Sequence, residues 1–313
     1  MTLSFYQHEY ELVLSTKIRL FRFHIVMMIY VLDTSTYLRV REKIDVSKKI
    51  NMSDSQSSIH DVAAQGFERG AECYEQARPS YPEDALRSIS DLYTEVDVIV
   101  DLGAGTGKLT QLLSLFNARE IIAIEPVKAM REKLTKISTI HQILDGTAEK
   151  IPLPDNSVDI IFCAQAFHWF ANHRALSEIH RVLKSNGLFV LIWNELESRD
   201  DQAWQDLLSY IDSFTSSTTP RYKTMQWKEC FENQTFFSSL EHRQWNNNQR
   251  VTREMLINRV LSTSFISILS NEQQENIRVE LGQRFDTIFK IPKHDDFDFL
   301  YVTNVYWCSA LKL

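Results

Sequence analysis

Glycine is scarce in this sequence: the 313 residues contain only eight. Cysteine is scarcer still, with four residues, Cys73, Cys163, Cys230 and Cys308, and no C-x-x-C pair among them. Scattered cysteines exclude a zinc knuckle and a disulfide framework, and they favour a reduced, cytoplasmic protein. The sequence also lacks H-E-x-x-H and G-x-S-x-G. We therefore expect neither a metal site nor a serine nucleophile turn.

Long apolar runs are also lacking. The only strongly apolar stretch, residues 20–32, is 13 residues long and contains Arg22 and His24, whereas a membrane span needs about 20 apolar residues. We therefore expect no stable membrane insertion. Residues 1–58 differ in composition from the rest, which predicts a loosely packed, dispensable extension, with Met52 as an alternative start, before a domain over residues 59–313.

Positive charge is in deficit over most of the chain. The net charge is −7; residues 1–50 carry eight Lys or Arg against five Asp or Glu, and the remainder carries 26 against 36. An acidic body is a poor partner for a nucleic-acid backbone. A hydrophobic share of 44% is enough for a full globular core.

The few glycines that are present are concentrated. Gly103, Gly105 and Gly107 alternate in VDVIVDLGAGTG, residues 96–107, where a buried strand runs into a turn. Glycine permits positive φ and close approach of a ligand, and residues 108–116 predict a helix whose free N–H groups face that ligand. The pattern indicates a nucleotide-type site in a doubly wound, mostly parallel α/β sheet.

The spacing of the glycines separates three families. A dinucleotide fingerprint would need glycine at 108, where the sequence has Lys108, and a phosphate loop would need glycine at 102, where it has Leu102. What remains, DLGAGTG from Asp101, resembles motif I of the class I S-adenosylmethionine-dependent methyltransferases. The resemblance implies S-adenosylmethionine as cofactor, bound by Asp101 and the three glycines.

Residues 67–82, FERGAECYEQARPSYP, precede this motif. They resemble the Y-x-x-x-R-P-x-Y-P lead-in of small-molecule methyltransferases, and we name them the lead-in segment. The resemblance implies that Tyr74 and Arg78 close over the cofactor, with the guanidinium suited to the methionine carboxylate, and that Tyr81 lines the substrate pocket. An exposed arginine beside a packed tyrosine is the alternative.

Two further segments extend the predicted cofactor site. Glu125 closes the predicted strand 120–126, 24 residues past Asp101, where a carboxylate suits the ribose diol; a solvated strand-end carboxylate is the alternative. Residues 145–159 resemble the family's G-D-A loop, but Thr147 replaces the acid that would meet the adenine amino group. The hydroxyl of Thr147, the N–H of Ala148 and the carboxylate of Asp145 all remain candidates.

The segment QAFHWF, residues 165–170, follows the apolar strand 158–164 at the predicted ligand edge of the sheet. Gln165 is a candidate cofactor contact and Phe167 a core residue. Trp169 is a candidate pocket wall, and His168 a candidate polar contact or catalytic base; a histidine bonded to a nearby carbonyl is equally compatible. The acceptor could be a carboxylate, a hydroxyl or a thiol, of which only the last two need a base.

The second half of the chain predicts a lid. A helix over residues 175–183 should end at Asn186-Gly187, and a strand over 188–194 should follow. Amphipathic helices at 201–214, 252–262 and 271–290 then predict a helical lid, about residues 200–295, before a terminal strand at 299–308. The prediction is a Rossmann-like methyltransferase acting on a small molecule, with a catalytically silent cofactor-binding regulator or a NAD-dependent oxidoreductase as alternatives.

Overall fold

The computed structural model describes residues 78–93, 95–197, 201–214, 220–289 and 296–312. The predictions for residues 1–58 and for Tyr74 fall outside this part of the chain. The described strands are β1 Val98–Leu102, β2 Glu120–Ile124, β3 Gln142–Leu144, β4 Val158–Ala164, β5 Leu183–Leu196, β6 Glu241–Val251 and β7 Phe297–Ser309. The α-helices are α1 Glu83–Ser90, α2 Lys128–Leu134, α3 His173–Val182, α4 Gln202–Asp212, α5 Arg253–Leu261, α6 Ser264–Ser267 and α7 Asn271–Arg284.

The seven strands form one sheet in the order β3-β2-β1-β4-β5-β7-β6. The first five are parallel, whereas β7 runs antiparallel to β5 and β6 antiparallel to β7. The predicted fold class, a doubly wound and mostly parallel α/β sheet, is confirmed. Helices cover both faces: α1 packs in one buried apolar cluster and α3 in the other, which explains why β4 is apolar from Ile160 to Ala164.

The boundary between α3 and β5 differs from the prediction. We expected the helix to reach Leu183 and Asn186-Gly187 to end it, but α3 ends at Val182 and β5 begins at Leu183. Asn186 has a φ of 61°, and the pairing with β4 shifts register between Val158 and Ile160. The Asn-Gly pair therefore belongs to an irregularity within the strand, where a positive φ is also needed.

The helix after the glycine turn also differs. Residues 110–116 form a 3₁₀ helix, Thr110–Phe116, instead of the α-helix predicted from residue 108. Its first side chain is tied to the sheet, because the Thr110 hydroxyl donates to the buried Asp101 carboxylate across 2.6 Å. The tighter helix leaves Lys108 and Leu109 in the turn.

Strand β6 was not predicted. Its sequence, EHRQWNNNQRV, is polar and most of its side chains are exposed. An edge strand of mostly polar, exposed side chains lacks the apolar alternation on which a strand prediction depends. β6 consequently divides the predicted lid into α4 with two short 3₁₀ turns, Tyr222–Thr224 and Gln226–Phe231, and a later group, α5 to α7.

The lid has its own apolar core. Trp204 of α4, Leu256 of α5, Leu281 of α7 and Tyr301 of β7 belong to one buried cluster. Tyr301 pairs with Leu196, the last residue of β5, so the cluster lies at the carboxyl end of that strand. The lid therefore lies at the edge of the sheet where α/β folds bind ligands.

Candidate active site

The glycine turn follows β1 directly. Gly103, Gly105 and Gly107 have φ values of 74°, 58° and 87°, a region that side chains rarely adopt. The N–H groups of Gly103 and Ala104 donate to the carbonyl oxygen of Ile124 at 2.8 and 3.1 Å. The turn is thereby attached to the end of β2, the neighbouring strand.

The glycines differ in what surrounds them. A Cβ on Gly107 would lie 2.2 Å from Ile137 Cδ1, whereas a Cβ on Gly105 would meet nothing closer than Met130 Sδ at 3.7 Å. Gly107 is therefore needed because Ile137 packs directly against its backbone. Gly105 combines a strained φ with a Cβ position free of steric overlap, which is the arrangement expected where a ligand lies against the backbone.

Glu125 lies beside Gly105. Its Oε2 accepts from the N–H of Gly105 at 2.8 Å and its Oε1 from the N–H of Val127 at 2.9 Å. The residue is only 5% exposed, so it is not a solvated strand-end carboxylate. Burial raises its pKa, and the two backbone bonds oppose that rise. Each oxygen retains a lone pair that could accept from a hydroxyl.

Asp101 lies beneath the turn and is fully buried. Burial raises the pKa of its carboxyl to about 7; the bond from Thr110 opposes this rise and the charge of Glu125 adds to it. Oδ1 of Asp101 is buried and has no hydrogen-bond partner among the described residues. Asp101 therefore supports the turn from below, with one acceptor atom unused.

Arg131 was missed by the sequence reasoning, since an arginine on an amphipathic helix has no distinguishing signal. Its guanidinium donates to the carbonyl oxygen of Glu125 at 2.8 Å and to the carboxylate of Asp145 at 2.9 Å. It thus joins the loops that follow β2 and β3. Thr147 is exposed and Ala148 is buried in the second of these loops.

Gln165 follows β4 in a strained conformation, with a φ of 56°. Its Nε2 donates to the carbonyl oxygen of Asn194 at 2.9 Å, which holds it between the ends of β4 and β5. Phe167 is fully buried, as predicted, and packs edge-on against Phe189. His168 and Trp169 are partly exposed.

The hydrogen bond from Trp193 determines which tautomer of neutral His168 is present. The indole Nε1–H of Trp193 donates to Nδ1 of His168 across 3.2 Å, so the neutral imidazole carries its proton on Nε2. Burial lowers the pKa of His168 to about 3, and the positive charges of Arg78 and Arg221 lower it further. At neutral pH the ring is an uncharged hydrogen-bond donor at Nε2, which disfavours the catalytic base considered above.

The described end of the lead-in segment is held by asparagines. The carbonyl oxygen of Ser80 accepts from Asn194 at 3.1 Å and from Asn247 of β6 at 2.7 Å. Arg78 is partly exposed and acts electrostatically on His168. Tyr81 is buried and belongs to the apolar cluster of α1.

Glu195 is a second residue that the sequence did not single out. It follows Trp193 by two positions on β5, and alternate residues share a face of a strand. Burial raises the pKa of its carboxyl, whereas nearby cations oppose this rise: Arg259, Arg221, Lys223 and Arg78. A group of charges therefore surrounds the carboxyl end of β5.

The comparisons with known proteins address this arrangement. Residues 100–191 match the family described as a methyltransferase domain. An uncharacterized methyltransferase-like protein of Schizosaccharomyces pombe is 36% identical over 236 residues, which cover 74% of this chain and 91% of that protein. The chain is a class I methyltransferase. A second methyltransferase of that yeast is 35% identical over 236 residues, covering 74% of this chain and 92% of the relative.

A solved structure shares the methyltransferase fold. It comes from Anaeromyxobacter dehalogenans, is assigned as a type II methyltransferase, and superposes with a TM-score of 0.55 at 19% identity over 75% of this chain and 97% of its own. The membership shows that this methyltransferase is an enzyme. The methyltransferase has no helix in its described part that is long and apolar enough to cross a bilayer.

Proposed function

We propose that this methyltransferase binds S-adenosylmethionine against the turn of residues 103–107 and transfers its methyl group to a small-molecule acceptor. One observation carries the proposal. Gly105 has a φ of 58°, a Cβ there would meet only Met130 Sδ at the ordinary contact distance of 3.7 Å, and its N–H is bonded to the Glu125 carboxylate. A ligand can approach the backbone there within reach of a buried acceptor of hydrogen bonds.

The surrounding residues match the parts of this cofactor. The remaining lone pairs of Glu125 suit the ribose hydroxyls. Thr147 and Ala148 lie in the loop that follows β3 and suit the adenine ring. The Arg78 guanidinium suits the methionine carboxylate. Gln165, at the end of β4, completes the set of predicted cofactor contacts.

When bound, the cofactor supplies a methyl group on a sulfonium, an electrophile with an intrinsically good leaving group. The chain's task is then to orient the acceptor and to exclude water. Trp169 suits a pocket wall. His168 suits a hydrogen-bond donor at Nε2, because Trp193 occupies its other nitrogen.

Calorimetry with S-adenosylmethionine and S-adenosylhomocysteine tests the proposal, and micromolar binding of both is expected. Gly105→Val should abolish the heat, since its side chain would stand where the ligand must approach the backbone. Gly282→Ala is the matched control, because Gly282 lies in α7 and a Cβ there would be 3.4 Å from Arg253 Nη2. If neither ligand binds to the unchanged protein, the proposal is wrong.

A further inference from the structure

Four positive side chains converge on the carboxyl end of β5. Glu195 experiences the charges of all four, and His168 those of two, Arg78 and Arg221. The four come from the lead-in segment, from the turn after α4 and from α5: Arg78, Arg221, Lys223 and Arg259. The acids that oppose them in this group are Glu195 and Asp212, and Asp212 is bonded to both Arg221, at 2.7 Å, and Lys223. Within this group of described side chains, four positive charges therefore face two negative ones.

Aromatic contacts join this group to the proposed acceptor site. Tyr222 lies between Arg221 and Lys223 in sequence, and its ring centroid is 4.8 Å from that of Trp193. Trp193 in turn donates to His168. The turn carrying the two cations is thus packed against the residue that orients the histidine.

Arg259 provides an unused donor. Its Nε is buried and has no hydrogen-bond partner among the described residues. A buried guanidinium N–H without a partner destabilises the folded protein, and a ligand oxygen would relieve that cost. Together with the Nε2–H of His168, the site presents donors and positive charge to whatever enters it.

We propose that the methyl acceptor is a carboxylate, bound by Arg221 and Arg259 of the lid and by the Nε2–H of His168. This inference rests on the proposed function. A lone pair of the carboxylate oxygen would form the new O–CH3 bond while the C–S bond of the sulfonium breaks. The products are a neutral methyl ester and a neutral thioether, and no proton is released.

The alternatives fit the site less well. A hydroxyl or thiol must lose a proton, and His168, held with its proton on Nε2, is a donor there. A protonated amine would enter a region of excess positive charge. A carboxylate needs no base and is complemented by guanidinium groups, which match its geometry.

The chemistry of the product gives the decisive test. The full chain is incubated with methyl-labelled S-adenosylmethionine and a protein-free extract of small metabolites, and the labelled products are treated with alkali. Methyl esters release the label as volatile methanol, whereas ethers, thioethers and methylamines retain it. We expect most of the label to be released; label that survives alkali would overturn the inference.

Binding gives an independent readout. With S-adenosylhomocysteine present, we expect calorimetry to detect succinate or glutarate at least tenfold more tightly than succinamide. Arg259→Gln and Arg221→Gln should each remove that preference while the affinity for S-adenosylhomocysteine stays unchanged. Arg250→Gln is the control, since Arg250 on β6 is 62% exposed and paired with Asp298. Equal binding of succinate and succinamide to the unchanged protein would also overturn the inference.

The experiments distinguish a failure of the proposed function from a failure of the inferred acceptor class. If S-adenosylmethionine and S-adenosylhomocysteine give no heat, the proposed function is wrong and the carboxylate acceptor falls with it. If both bind and the transferred methyl is stable to alkali, only the acceptor class is wrong.

Discussion

The backbone N–H of Gly105 is bonded to the buried carboxylate of Glu125 at 2.8 Å. The residue predicted to bind the ribose therefore also supports the glycine turn. Because the Val127 N–H occupies the other oxygen, replacing either oxygen by an NH2 group would place two donors face to face. Function and stability are coupled at this carboxylate, contrary to the behaviour of a solvent-facing acid.

Glu125→Gln should accordingly reduce both properties. We expect the free energy of unfolding without ligand to fall by about 1–3 kcal/mol, because one backbone N–H loses its acceptor. The affinity for S-adenosylmethionine should fall by roughly tenfold or more as a charge-assisted bond is lost. Chemical denaturation and calorimetry measure the two effects. Unchanged stability would show that the backbone bonds contribute nothing.

Gly105→Ala and Gly107→Ala form a matched pair. Both place a side chain at positive φ, which costs about 1–2 kcal/mol, but only the Cβ on Gly107 meets Ile137 Cδ1, at 2.2 Å. Overpacking adds about 1–3 kcal/mol, so Gly107→Ala should be the less stable variant in denaturant. Gly105→Ala should lose more cofactor affinity than its loss of stability explains. The reverse ranking would contradict the assigned roles.

Asp101 should make stability depend on pH. Its pKa rises from 3.8 to about 7 on folding, so between these values the folded state binds more protons and stability falls as pH increases. The effect of this one group is at most on the order of 4 kcal/mol. Asp101→Asn should flatten the decline between about pH 4 and 7 in denaturation curves without ligand. If the stability of the variant declines equally steeply with pH, groups other than Asp101 cause the decline.

Trp193→Phe tests how His168 is held. Removing the indole N–H should raise the pKa of His168 and allow both tautomers, which nitrogen NMR of the imidazole detects. Trp227→Phe is the control, because that ring lies 4.6 Å from Trp193 between centroids but has no described bond to His168. The unchanged enzyme should show no inflection of kcat near pH 6.5. If kcat does show an inflection near pH 6.5, and His168→Gln removes it, then His168 acts as the catalytic base.

The first half of the fold was predictable because its signals are local. β4 has the predicted bounds, since a short apolar run between turn residues identifies a buried parallel strand. The glycine turn was equally visible, because positive φ restricts the residue type. β6 was not predictable: its polar residues form a strand only because β7 offers them a pairing edge.

The site was predictable in residue type but not in environment. Sequence spacing selected Glu125 and His168, yet the hydrogen bonding of Glu125 and the tautomer of His168 depend on Val127 and Trp193, whose roles have no motif. Arg259 acts from a lid helix more than 60 residues beyond Trp193. Such contacts depend on how the lid packs, and a linear pattern does not encode that.

The position of β7 has a consequence for the growing chain. β7 lies between β5 and β6, and its Thr303 donates to the side-chain oxygen of Asn194 at 2.6 Å. Until β7 emerges from the ribosome, β6 has no neighbouring strand and β5 presents an open apolar edge, a state in which strands associate wrongly. Asn194 also holds Ser80, so the lead-in segment cannot be fixed before then. The ligand site of this enzyme is therefore complete only after β7 has been synthesised.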